Sequence, residues 1–302
     1  MINVLDMNIQ EIESLAPRKF VFKLVDNNNH TIVWKFESDP LKKEDITQAE
    51  IASNHGIARA IIGNDHTPEM EIPSEEEFDQ FLNISNDQNV VSNEETAGLL
   101  EILLEENERG MEQFPFVPVK LEFRPGPQSL ADIASAKTVL TDPGWAAMGR
   151  MAIYDVVMRN KDRIGGYTAV LATMINPENI DILDNEPIAL DNYDPSNPTL
   201  KSPDATWDEY YHESYDLGDG LYIDNISNRA SRRVFAKRLM KALAVGGHHK
   251  KWFNSTRYEE IKQLLVDGME EAVTRVLNFE DDGSNTNAMN NFLSRRQQIQ
   301  PN

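Results

Sequence analysis

The 302-residue chain has no cysteine, so disulfides, thiol nucleophiles and thiolate metal sites are all excluded. Its six histidines show neither HExxH nor His-x-His spacing, which removes most zinc chemistry. No apolar run approaches the roughly 18 residues a membrane-crossing helix needs, and no basic-then-apolar leader opens the sequence. A soluble, cytoplasmic chain that is not transmembrane is therefore expected. Positive charge is scarce: 29 Lys and Arg stand against 50 Asp and Glu, a net charge of −21. Phosphate backbones are held mainly by Lys and Arg, so no nucleic-acid partner is expected. The acidity reads first as a solubility device. Glycine does not occur before Gly56, so no glycine-rich loop lies near the N-terminus.

What is present is 40% hydrophobic, enough for one large core or two modest lobes. Phe20–Val25 and Thr31–Phe36 are β-rich runs around an Asp26-Asn-Asn-Asn29 turn, which predicts a hairpin. Alternation puts Ile32, Trp34 and Phe36 on one face and Val33 and Lys35 on the other. Helical spacing follows over 39–63, closed by Gly56. Residues 67–92 read as an acidic surface loop and 93–109 as an acidic amphipathic helix, together an insert over 67–110. Val117–Phe123 is a strand, and Arg124-Pro-Gly-Pro127 breaks the chain as a hinge would. Trp145–Asn160 is an apolar helix ending in Asn160-Lys-Asp-Arg163. A second hairpin spans 179–192 around Asp184-Asn-Glu-Pro187. Helices over 227–245 and 258–277 follow, and 281–302 reads as a polar, flexible tail.

This order of parts matches what phosphoryl transfer requires: a cation on the nucleotide phosphates, a carboxylate beside the attacking hydroxyl, and an amide with a carboxylate for Mg²⁺. The stretches "MGRMAIYDVVMRNKDR" (148–163) and "NPENIDILDNEPIALDN" (176–192) carry a family resemblance. They resemble the actin-fragmin kinase catalytic domain and, less closely, type II phosphatidylinositol 4-kinases. Both families join a helix to Asn-x-Asp-Arg, then to an Asn-initiated strand and an Asp-Asn pair. "KLEFRPGPQSL" (120–130) is similar to their hinge, and "TIVWKF" (31–36) to their lysine-bearing strand. The likeness spans roughly residues 20–195.

The resemblance implies an α+β, bilobal protein-kinase-like fold with a small β-rich N-lobe and a larger, mostly helical C-lobe. The N-lobe would be 1–123, the C-lobe 124–280. It implies Asp162 as the catalytic carboxylate, with Arg163 supporting the loop or the transferred phosphate. Asn179 and Asp191 would hold Mg²⁺. Lys35 would hold the ATP phosphates, with Glu50, or alternatively Glu44, as its ion-pair partner. In place of a glycine-rich loop stands "ESLAPRK" (13–19), where Ser14, Arg18 or Lys19 would have to meet the phosphates. Asp155 reads as a structural partner of Arg150 or Arg159 as readily as a functional residue.

The expected activity is transfer of the ATP γ-phosphate to a Ser or Thr hydroxyl of a protein. The alternatives are a phosphoinositide kinase, a nucleotide-binding pseudokinase acting as an interaction module, or AMP transfer. A compact kinase of this kind would also suit a secreted bacterial effector acting in a host cytosol. Between Asn225 and Tyr258 there is no Asp or Glu. There Arg229, Arg233, Lys237 and Lys241 fall on one helical face, a candidate site for an inositol phosphate, an anionic lipid surface or an acidic protein. The bland alternative is a solvated face that pairs with the acidic insert.

Overall fold

A computed structural model describes residues 2–15, 20–38, 47–109, 116–123, 128–129, 140–158, 160, 163, 179–190, 223–245, 257–281 and 283–299. The chain is mixed α+β, with small antiparallel sheets and seven α-helices among the described residues. It divides into two compact units: 1–52 with 68–125, and 53–67 with 126–302.

The first unit is built on a five-stranded antiparallel sheet of order β1-β2-β3-β5-β4. Its strands are β1 (Ile9–Ser14), β2 (Val21–Asp26), β3 (Thr31–Ser38), β4 (Met70–Glu71) and β5 (Phe116–Glu122). Between β2 and β3 the turn expected from the asparagines forms, with Asn29 at φ 62° and Asp26 accepting the amides of Asn28 and His30. Register pairs Phe22 with Trp34 and Leu24 with Ile32, so one face collects aromatic and branched side chains, all buried. The indole of Trp34 stacks on Phe81, centroids 4.6 Å apart and planes 12° apart.

Phe81 belongs to a helix where a surface loop was expected. α2 (Glu75–Ser85) starts at a capping box: the Ser74 hydroxyl accepts the Glu77 amide at 3.2 Å, and the Glu77 carboxylate accepts the Ser74 amide at 3.0 Å. Phe78, Phe81 and Leu82 follow at helical spacing, and burying them against the sheet outweighs the acidity of the segment. The start of α2 is also tied to the sheet, because Lys120 of β5 bonds Glu77 at 2.6 Å and Glu71 at 3.2 Å. Burial raises the Glu77 carboxyl, but the Lys120 ammonium outweighs it and holds Glu77 below the usual carboxylate range. α3 (Glu94–Glu108), capped by Asn93, forms within the expected span and buries Leu100 and Leu103.

α1 (Gln48–Ile62) lies between β3 and β4 in the chain, and the division between the units falls within it. Gly56 does not close this helix. It sits mid-helix, because Ile57, Ala58, Ile61 and Ile62 carry the buried stripe beyond it. The stop is Gly63 at φ 113°, a conformation that L side chains rarely adopt. From Ser53 onward the segment belongs to the second unit rather than to the N-terminal one.

The second unit is organised by α4 (Asp142–Met158), capped at Thr141, whose hydroxyl accepts the Gly144 amide at 3.1 Å. All but three of its residues are buried, and it packs on α6 (Tyr258–Leu277). α5 (Arg229–Val245) covers α6, with Arg232 fully buried and forked onto Glu270 at 2.9 Å through two nitrogens. A three-stranded sheet of order β6-β7-β8 comprises β6 (Gln128–Ser129), β7 (Ile180–Leu183) and β8 (Glu186–Ala189). The β7–β8 turn has Asp184 at φ 52° and Asn185 at φ 66°, the left-handed pair a two-residue hairpin favours.

The flexible tail expected over 281–302 is instead closed by α7 (Asn287–Arg296). The Thr286 hydroxyl caps it, accepting the Met289 amide at 3.1 Å, and donates to Ser53 at 2.8 Å. Met289 and Phe292 are buried, and Phe292 meets Phe279 edge-on. Two apolar side chains one turn apart suffice to order a polar segment when a core lies beneath them.

Candidate functional site

In the first unit, Lys35 lies on β3, the middle strand of the sheet, facing away from Trp34 as alternation predicts. Its strand neighbours across the sheet are Val21 and Val119. It is not a solvated edge lysine. Its side chain is 16% exposed, and the ammonium meets Glu37 at 2.7 Å, two residues along the same face. Glu50 is half-buried in the first turn of α1, and its amide donates to Thr47 at 3.2 Å. Ser14 ends β1, where its amide bonds the Thr96 hydroxyl at 3.0 Å. The β1–β2 connection starts there, and the Leu15 amide meets the Val21 carbonyl at 2.9 Å.

In the second unit, the centre is Arg163, which is fully buried. Its Nε and Nη2 fork onto both oxygens of Asp155, at 3.0 and 2.5 Å, and its Nη1 donates to the Leu190 carbonyl at 3.0 Å. The partner of Asp155 is thus Arg163, not Arg150, whose carboxylate is Glu271; Arg159 lies outside the described residues. The Leu190 amide in turn donates to the Asn179 carbonyl at 3.1 Å, closing the end of the β7–β8 hairpin. Beside the guanidinium lies the Tyr154 ring, 5.4 Å away. The Tyr154 hydroxyl donates to Asn54 of α1, and burial pushes this phenol well above its usual range. Asn160 and Asn179 are also buried. Three of the Arg163 N–H donors are thus committed within the protein, to Asp155 and to the Leu190 carbonyl, an arrangement suited to supporting the loop.

Helix α1 is fastened at its far end within the same unit. Arg150 Nε donates to the Ile62 carbonyl at 2.7 Å, and Arg275 Nη1 to the Ile61 carbonyl at 3.1 Å. Both guanidiniums share Glu271. Burial raises the Glu271 carboxyl, but the two arginines outweigh it and hold it below its usual range. Cations at orphan carbonyls complement the negative end of the helix dipole. Next to this anchor, His66 Nδ1 bonds the Pro187 carbonyl at 2.9 Å, and burial pushes the imidazole below its usual range.

Of the expected site residues, Asp162 and Asp191 lie outside the described residues, as do Glu44, Arg18, Lys19 and the side chain of Lys241. Arg229, Arg233 and Lys237 occupy an exposed face of α5 together with Val234, which is 53% exposed. Arg229 stands 4.0 Å from Glu270. Among the described residues, no group of three or more His, Asp or Glu side chains is assembled for a metal ion, and no helix is long and apolar enough to cross a membrane. Sequence reasoning missed Tyr154 and Asn54, and for Asp155 it named Arg150 or Arg159 rather than Arg163 as the partner. The available signal was an Asp in the middle of an otherwise apolar helix, eight residues before an Arg. No family model matches the chain, and no curated protein matches it.

Proposed function

We propose that the chain is an atypical kinase of bilobal, protein-kinase-like fold that transfers the γ-phosphate of ATP to a hydroxyl group, most favourably a Ser or Thr of a protein. The observation that carries this reading is the bond from Arg163 to the Leu190 carbonyl. It ties together two stretches whose neighbouring residues in the chain are Asp162 and Asp191. Three further features support it. Lys35 lies on the third strand of the sheet, shielded from solvent; Glu50 lies in the first turn of the following helix; and Asn179 immediately precedes β7. Lysine on β3, glutamate on the next helix, and an amide and a carboxylate flanking a later hairpin form the set that kinase chemistry uses.

In this mechanism the Asp162 carboxylate accepts the hydroxyl proton as the oxygen attacks the γ-phosphorus. The bond to the β-phosphate oxygen breaks, and ADP leaves with the negative charge. Lys35 balances charge on the α- and β-phosphates. The amide oxygen of Asn179 and the carboxylate of Asp191 are hard oxygen donors suited to Mg²⁺. That ion would neutralise charge on the phosphates and orient them. The face bearing Arg229, Arg233 and Lys237 would receive an anionic partner, either a phosphoinositide headgroup or an acidic protein surface.

One observation favours a second reading, nucleotide binding without transfer. The connection from Ser14 to Phe20 contains no glycine whose backbone could lie close against the phosphates. The deciding experiment incubates the protein with γ-labelled ATP, Mg²⁺ and cell extract beside Asp191→Ala. Label in protein or lipid that depends on Asp191 is expected. Thermal stabilisation by ATP without label would establish the second reading, and the absence of both would remove the kinase assignment.

A further inference from the structure

We propose that Arg163, oriented by Asp155, is a positioning residue that fixes the backbone at Leu190, and hence the chain entering Asp191, for Mg²⁺-dependent chemistry. The proposal rests on the kinase reading above. Its geometric basis does not. Both peptide groups of Leu190 are committed, the amide to the Asn179 carbonyl at 3.1 Å and the carbonyl to Arg163 at 3.0 Å. Asn179 and Leu190 flank the two-stranded hairpin on either side, so one guanidinium sets the hairpin's open end.

The ion pair is a poor choice if stability were its purpose. Asp155 and Arg163 are both 0% exposed in side chain, and α4 is otherwise apolar around Asp155. Apolar residues of similar size are often neutral or stabilising in place of a buried pair. What the pair supplies is direction. A planar guanidinium whose Nε and Nη2 are held by one carboxylate has its Nη1 aimed along a fixed line, and that line ends on Leu190. The Tyr154 ring closes one side of the group, and the bond from its hydroxyl to Asn54 fixes the ring in turn.

The test compares wild type, Arg163→Lys, and the neutral pair Asp155→Asn with Arg163→Gln, which guards against a single variant that fails to fold. Lysine keeps the charge opposite Asp155 but cannot fork onto it and reach Leu190 as well. Two quantities are measured: amide hydrogen exchange at Leu190 relative to α6, and the Mg²⁺ concentration that half-saturates phosphate transfer. The expected result is exchange at Leu190 at least about tenfold faster, α6 unchanged, and half-saturating Mg²⁺ at least about tenfold higher, with ATP affinity in EDTA unaltered; a tenfold change corresponds to about 1.4 kcal/mol. Unchanged exchange at Leu190, or exchange that rises equally in α6, with transfer intact in the wild type, would overturn the positioning role alone. A wild type that neither binds Mg²⁺-ATP nor transfers phosphate would overturn the kinase reading and this proposal with it, whatever the exchange data show.

Discussion

Gly268 of α6 lies directly against the carbonyl of Ala146 in α4, so that a Cβ there would overlap the oxygen. Gly149 of α4 meets the Leu265 carbonyl in the same way. The two helices therefore touch backbone to backbone at two points, and neither partner has a flexible end that could yield. Gly268→Ala is expected to destabilise the protein by about 3 kcal/mol. Gly56→Ala, mid-helix with nothing within 4 Å of its would-be Cβ, is expected to stabilise it by about 0.5–1 kcal/mol. Denaturant unfolding of both variants checks the pair of signs.

Lys35 and Lys23 lie on the same face of the sheet, but Lys35 is on the middle strand and Lys23 pairs with Glu13 at 3.0 Å near the edge. Lys35→Met is expected to weaken ATP binding about tenfold or more and to abolish label transfer. Lys23→Met is expected to change either by no more than about twofold. Calorimetric titration with ATP, alongside the transfer assay, separates a phosphate-holding lysine from a merely structural one.

Burial lowers the proton affinity of His66 in the folded chain, while in the unfolded chain it titrates near the ordinary imidazole value of about 6.5. Below that value the unfolded state binds more protons than the folded state, so stability falls as pH falls. Its contribution is complete above about pH 6.5 and is lost toward the lower, folded-state value. Melting temperature between pH 7.5 and 5.5 is expected to decline in wild type and to flatten in His66→Asn, whose amide can still donate to Pro187. An unchanged slope in the variant would assign the decline to other groups.

Removing residues 281–302 takes away Met289 and Phe292, the Thr286 bond to Ser53, and the Arg295 bond to the Val156 carbonyl at 2.7 Å. Two buried side chains of this size contribute about 5 kcal/mol together. The truncated chain is expected to lose cooperative unfolding of the second unit, visible as a lost or sharply lowered thermal transition.

Arg233 and Lys237 carry no carboxylate partner among the described residues. Their joint reversal to Glu is expected to abolish binding to vesicles containing phosphoinositides, with the melting temperature unchanged. Retained binding would assign this face to solvation alone.

Both hairpins were legible because their causes are local. Asn29, Asp184 and Asn185 adopt positive φ where the sequence placed turns, and alternation alone assigned Lys35 to the face opposite Trp34. α2 and α7 were not read, although each begins at a hydroxyl cap followed by spaced apolar residues. Acidic or polar composition masked a short stripe whose value depends on the core beneath it. The Arg163–Asp155 pair was invisible for a different reason. It joins residues eight apart across a helix end, and its third partner, Leu190, is 27 positions further along and contributes only a backbone carbonyl. Side-chain chemistry in a sequence cannot announce a backbone acceptor.

The two arginines at the end of α1 make its last turn a clamp that hangs on a single carboxylate. Arg150 and Arg275 grip the carbonyls of Ile61 and Ile62, while Glu50 lies near the opposite end of a 15-residue rod, about 22 Å long at 1.5 Å per residue. Loss of the Glu271 carboxylate would release both guanidiniums at once, so the last turn of α1 would lose its two carbonyl partners together rather than one at a time.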